Sequence, residues 1–201
     1  MGQLTDVIKN LIIINVIIFF ALKTPFLAEY KNDLVLYFFG DTRMQPVQIV
    51  SHMFLHADEM HLIMNMLSLF FLGPTVERFV GPKNFFILYF AAGLGAVLLR
   101  WAAQMAGFTP IGSAALGASG AVVGVVTAFA ALFPNQKLFL MFVPIPIKAK
   151  YLIGAFLAWD LFAGLNPNMN TGIAHFAHLG GAIVGFLLTW FRFKKYDFRG
   201  R

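Results

Sequence analysis

Six apolar runs, at about 6–24, 60–79, 83–105, 117–134, 149–166 and 172–193, decide what this 201-residue chain can fold into. A span needs about 20 mostly apolar residues to cross roughly 30 Å of hydrocarbon, and inside it the chain must satisfy every backbone N–H and C=O itself. Helices meet that demand. The sequence therefore predicts an all-α, polytopic membrane helix bundle with six transmembrane helices. With 59% apolar and only 12% charged residues, the chain lacks the polar surface of a water-soluble domain. No linker, repeat or low-complexity tract interrupts it, so residues 1–201 read as one membrane domain.

The first run is expected to be a mature helix rather than a secretory leader, because Gly2-Gln3-Leu4-Thr5-Asp6 is not a basic n-region and no small-residue cleavage site follows. The net charge of +6 does not point to nucleic acid, since the basic residues sit at the ends of apolar runs and act as topology determinants. With the N-terminus inside, eleven Lys and Arg residues fall on the cytoplasmic side and four, Lys23, Lys31, Arg43 and Arg100, outside. Both termini are thus assigned to the cytoplasm, and the tail from Arg192 to Arg201 reads as an anchor for anionic lipid. All five histidines, His52, His56, His61, His175 and His178, then lie in the outer half. The external loop 25–59 carries apolar stretches such as Leu34-Val35-Leu36-Tyr37-Phe38-Phe39 and is expected to rest partly in the outer interface.

The polar residues inside the spans share one depth. From Ser119 to Pro134 a helix rises only about 22 Å, so a helix starting at Gly117-Ala118-Ser119-Gly120 begins below the outer surface. Non-helical backbone at that depth requires protein cover or water, which implies a submerged cavity. His178 lies about 21 Å above Arg192, and Asn65 about 20 Å above Arg78, with His61 one turn higher. Intramembrane polar groups are costly and face the bundle interior, so a common site is the economical explanation.

Gly120-x-x-x-Gly124 and Gly181-x-x-x-Gly185 form small-residue stripes that let two helix backbones meet, and docking them carries Ser119 and His178 toward one another. A serine hydroxyl becomes a nucleophile when a base takes its proton, a task suited to neutral imidazole near pH 7. Ser119 is therefore the candidate nucleophile and His178 the candidate base. An oxyanion needs donors, and the Ser119 N–H at a helix N-terminus, with His61 and Asn65 one turn apart on one face, can supply them. The absence of cysteine removes thiol nucleophiles and Cys-ligated zinc.

This arrangement resembles the rhomboid family of intramembrane serine proteases. The resemblance rests on His56-x-x-x-x-His61-x-x-x-Asn65, Gly117-x-Ser119-Gly120 and Ala177-His178-x-x-Gly181-x-x-x-Gly185, and it covers essentially the whole chain as a minimal six-helix core. It implies hydrolysis of a peptide bond in or beside a substrate's transmembrane helix by a Ser119–His178 dyad, with His61 and Asn65 as oxyanion partners and no cofactor. It also implies that loop 25–59 lies in the outer leaflet and that residues 149–172 form a lateral gate or cap. Many members carry Trp-Arg in the first loop where this chain has Val47-Gln48, which puts that loop's internal contacts in question.

Other readings have less support. Asp160, about 18 Å above Lys148, could orient His178 as a third acid, but the resemblance and its place on the gate helix favour a hydrogen-bonded structural carboxylate. His175, one turn from His178, could form a metal pair with it, yet no HExxH motif is present, and no metal or other cofactor is expected. His52 and His56 are expected to hydrogen-bond within the first loop, and Glu77-Arg78 to anchor the inner end of span two. The partners implied are transmembrane protein substrates and the lipid bilayer, with no nucleic acid. The rival functions are a catalytically inactive rhomboid-like scaffold that binds membrane clients, and a small transporter or channel. The compact chain and lack of a transit peptide point to a prokaryotic inner membrane.

Overall fold

The structure, a computed structural model, describes residues 4–140, 143–166, 168, 169 and 171–193. The basic tail beyond Phe193, with its assigned lipid anchor, lies outside the described residues. A helix occupies each of the six apolar runs: α1 (Asp6–Ala21), α5 (Glu59–Val80), α6 (Pro82–Met105), α7 (Ser119–Leu132), α8 (Ala149–Leu165) and α9 (His175–Leu188), which continues as a π-helical turn over Thr189–Phe193. Three single-turn helices, α2 (Pro25–Ala28), α3 (Lys31–Leu34) and α4 (Gln48–Ser51), punctuate the loop after α1. Among the described residues, two helical stretches are both long and apolar enough to cross a bilayer, Pro82–Met105 and His175–Phe193. The protein is thus mainly helical, while α7 begins, as its sequence anticipates, too late to be a full-length span.

One element departs from the all-α expectation. Residues 137–148 form an antiparallel hairpin, β1 (Lys137–Leu140) with β2 (Val143–Lys148), pairing Lys137 with Lys148 and Leu138 with Ile147. The reason lies in Pro144 and Pro146, which lack the N–H a helix needs and are tolerated in an edge strand, flanked by β-branched Val143, Ile145 and Ile147.

Helix α9 is the pivot of the bundle. A β-carbon on Gly180 would strike the carbonyl oxygen of Gly95 in α6, and β-carbons on Gly181 and Gly185 would strike those of Gly120 and Gly124 in α7. The two stripes legible in the sequence are therefore in backbone contact. The core around them collects Leu69, Phe85, Leu88, Val125 and Ala128, all fully buried. At the opposite end, buried Glu77 of α5 accepts from Thr5 Oγ1 at 2.5 Å and from the N–H groups of Val7 and Ile8, so it caps α1 by satisfying donors that open a helix.

The segment between α1 and α5 folds on itself around Gln48. Its side chain is fully buried, donates Nε2 to the carbonyls of Asp33 and Arg43 at 3.2 and 3.0 Å, and accepts from the Tyr37 N–H. Val35, Tyr37 and Leu55 cluster beside it with Leu22, Leu34, Met44 and Leu116. His52 and His56 are both buried; His52 Nδ1 sits 2.7 Å from the Gln48 carbonyl, whereas neither ring nitrogen of His56 has a hydrogen-bond partner among the described residues. The expectation of hydrogen bonding within the loop therefore holds for His52 and fails for His56.

Two predictions follow from this packing. Gly181→Val drives a branched side chain into the Gly120 backbone, which cannot swing aside, and is expected to cost about 3 kcal/mol or more, read as a lower Tm in detergent. Gly154→Val on α8, where a β-carbon meets nothing within 4 Å, is the control and should leave Tm nearly unchanged. The second concerns pH. Burial lowers both His52 and His56 from 6.5 to about 4, so the unfolded chain binds the extra protons between those values. Stability contributed by the neutral rings is complete above pH 6.5 and is lost as pH falls toward 4. A Tm that holds above that pH and declines below it is expected, with a shallower decline in His56→Phe.

Candidate active site

Three sets of contacts fix the start of α7. Leu36 and Ala115 exchange two backbone hydrogen bonds, each 2.8 Å, tying the segment between α1 and α5 to the strand-like approach to α7. The Gly117 N–H donates to the His52 carbonyl at 2.8 Å. From α6, the buried Arg100 guanidinium donates Nη2 to the Ser113 carbonyl and hydroxyl at 2.9 Å each and to the Ala114 carbonyl, while Gln104 Nε2 donates to the carbonyls of Pro110 and Ile111. Arg100, assigned to the outer side from the sequence, is a buried staple. Its charge is met by carbonyl dipoles, and among the described residues no carboxylate lies within salt-bridge distance of it.

So held, the chain turns through Gly117 at φ +127°, a conformation that favours glycine, and enters α7 with Ala118 as its N-cap. The first N–H groups of α7, beginning with Ser119, have no partner within the helix and point toward its open end. A β-carbon on Gly117 would lie 2.8 Å from His61 Nε2 and 3.7 Å from Ser119 Oγ, so both groups border the same small gap. Behind Ser119 a cavity is lined by Gly117, His52, Met53, Arg100 and Ala177.

Local hydrogen bonds orient His61. Asp58 caps α5 by accepting the His61 N–H at 2.8 Å, and the His61 Nδ1 accepts from the Ala57 N–H at 3.4 Å. With Nδ1 an acceptor, Nε2 carries the proton of the neutral ring and faces the gap as a donor. Asn65, buried one turn further along α5, gives one amide hydrogen to the His61 carbonyl at 2.8 Å and keeps the other.

His178 arrives on α9. The carbonyl of Ala177, its predecessor, lies 3.4 Å from the β-carbon position of Gly120, the successor of Ser119, so the glycine stripes set the two helices at matching height. No hydrogen bond joins the His178 ring to Ser119 Oγ; its Nδ1 is engaged by Asp160 Oδ2 at 3.0 Å. Catalytic hydrogen bonds of free enzymes are often long and tighten only around substrate. Asp160 Oδ1 meets His175 Nδ1 at 2.5 Å, so the expected hydrogen-bonded carboxylate is present, with both partners on α9. Sequence reasoning anticipated a structural carboxylate at Asp160 but not its shared grip on two histidines, and it missed the roles of Gln48, Arg100 and Gln104. For Arg100 a signal existed: a charge well inside an apolar run.

Comparison with known proteins identifies the class. The rhomboid domain matches residues 43–195, and the chain belongs to the rhomboid family, whose members are integral membrane proteins and generally intramembrane serine proteases. It is 35% identical over 146 residues to "Rhomboid protein 1, mitochondrial" of Saccharomyces cerevisiae, covering 72% of this chain and 41% of that protein. It is 34% identical over 164 residues to "RHOMBOID-like protein 12, mitochondrial" of Arabidopsis thaliana, covering 75% and 47%. With "Putative rhomboid protease YdcA" of Bacillus subtilis it shares 28% identity over 184 residues, covering 90% of this chain and 85% of that protein. The chain thus spans under half the length of the two mitochondrial relatives and most of the bacterial one.

Proposed function

We propose that this protein is an intramembrane serine endopeptidase that hydrolyses a peptide bond in or next to a transmembrane helix of membrane-protein substrates. The observation that carries this reading is the gap at Gly117, bordered by Ser119 Oγ and by a donor-oriented His61 ring, at the open N-terminus of a helix whose glycines meet those of the helix bearing His178. In this reading Ser119 Oγ attacks the scissile carbonyl while His178 Nε2 takes its proton. Negative charge developing on the carbonyl oxygen is met by the Ser119 N–H, His61 Nε2–H and the free amide hydrogen of Asn65. The intermediate collapses as His178 returns the proton to the leaving amine, and water then releases the acyl group by the same steps in reverse.

In the same reading the six helices form one membrane domain in which α7, starting below the outer surface, falls short of a full crossing. Both termini face the cytoplasm, and the cavity opens to the outer side, in a prokaryotic inner membrane. Helix α8 serves as the lateral gate: it buries only Ala149, Ile153, Asp160 and Ala163, and presents Trp159, Phe162 and Leu165 outward. The alternative, an inactive client-binding scaffold, is disfavoured by the retention of both Ser119 and His178.

A fluorophosphonate probe tests the assignment in purified protein. Labelling is expected at Ser119, absent in Ser119→Ala and His178→Ala, and slowed about 100-fold in Asn65→Ala, consistent with loss of a donor worth about 3 kcal/mol. Labelling that survives Ser119→Ala contradicts the nucleophile. A folded wild-type protein that never labels favours the scaffold.

A further inference from the structure

Asp160 is a carboxylate with 1% of its surface exposed, carried by α8, and both its oxygens are engaged by histidines of α9: Oδ1 by His175 Nδ1 at 2.5 Å and Oδ2 by His178 Nδ1 at 3.0 Å. An ionised carboxylate only accepts, so both Nδ1 atoms carry protons. That leaves Nε2 of each neutral ring as an acceptor. For His175 the acceptor is filled, since Thr171 Oγ1 lies 2.7 Å from Nε2 and donates to it, while the same oxygen accepts the Ile173 N–H at 3.2 Å. The chain of bonds therefore runs in one direction, from Ile173 N–H through Thr171 and His175 to Asp160. Among the described residues, every member but one has its partners. The unfilled position there is Nε2 of His178, the atom that must accept the serine proton.

We propose that Asp160 is a positioning residue for His178, fixing the ring in the Nδ1–H tautomer with Nε2 free for Ser119, and that His175 and Thr171 brace the carboxylate from the other side. The inference rests on the reading of His178 as the base. It turns the implied dyad into a relay of Ser119, His178 and Asp160 in which the carboxylate stays ionised: the proton moves only between Ser119, His178 and the leaving amine, while Asp160 faces the transient imidazolium. A neutral Nε2–H tautomer could not accept that proton, so a carboxylate in this position has a specific consequence for rate.

A role confined to packing and one in positioning give different kinetics. Titratable groups facing His178 are Asp160 from α8, His175 on its own helix, and His61 from α5, which lies within electrostatic range. Asp160→Asn, in full-length protein reconstituted with a single-span substrate, is expected to lower kcat about 100-fold or more with KM unchanged, because the amide preserves the shape and removes the charge. His175→Gln, which leaves Asp160 in place, should cause a smaller loss of kcat. A folded Asp160→Asn protein with wild-type kcat overturns the proposal.

If Asp160→Asn does not fold, the wild-type protein still decides the matter. Nitrogen-15 NMR of histidine-labelled protein is expected to show neutral His178 protonated at Nδ1, and protonation at Nε2 overturns the proposal. Failure of the underlying reading is separately visible. Cleavage that persists in His178→Ala removes the base and this inference with it, whereas loss of cleavage in His178→Ala beside full activity in Asp160→Asn removes the inference alone.

Discussion

Contact between the backbones of α7 and α9 sets the position of everything else around Ser119 and His178. Glycines at 120, 124, 181 and 185 leave no side chain between the two helices, so Ser119 and His178, each within a few residues of a stripe, inherit a height and a facing from the packing. In a bilayer this matters more than in water, because lipid tails are as apolar as leucine and burial alone does not drive helices together. Close approach, with its dispersion contacts, supplies the attraction. Gly180 extends the same logic to α6 by lying against Gly95.

Backbone packing aligns the helices but does not hold the turn that precedes Ser119, whose carbonyls and N–H groups need partners of their own. The segment between α1 and α5 and the end of α6 meet that need together. His52 and Leu36 take backbone partners at Gly117 and Ala115, and Arg100 with Gln104 satisfies the carbonyls from Pro110 to Ala114. Gln48 in turn holds the segment between α1 and α5 in shape from within, through the carbonyls of Asp33 and Arg43. A loop that reads as a cover over the site is thus also its foundation, and Val47-Gln48 replaces Trp-Arg without leaving the segment unbraced.

What could be read from the amino acids divides along a physical line. Helix positions, the late start of α7 and the meeting of the glycine stripes follow from hydropathy, rise per residue and the size of a side chain, all of them local properties. The partners of Arg100, Gln48 and Asp160 are set by which loops and helices come together in three dimensions, and one polar residue inside an apolar run does not announce its partner. Arg100 had the charge of an exterior marker and became a buried staple. Glu77 had the look of an inner-side anchor and became the cap of α1, while the hairpin at 137–148 was hidden because its prolines speak against helix without specifying a strand pair. Asp160 was seen to be able to reach His178, but that it also holds His175 depends on the rotation of α8, which periodicity alone does not determine.

We propose that Ser119, activated by His178 inside the membrane layer, cleaves a polypeptide. To test this, the purified protein is placed in liposomes with a model single-span substrate, and the new N-terminus of the product is identified by mass spectrometry. One or a few cuts are expected within or beside the transmembrane segment, made by the wild type and absent with the serine or the histidine replaced by alanine. Cleavage confined to the soluble flanks of the substrate, or cleavage that persists without Ser119, would contradict it.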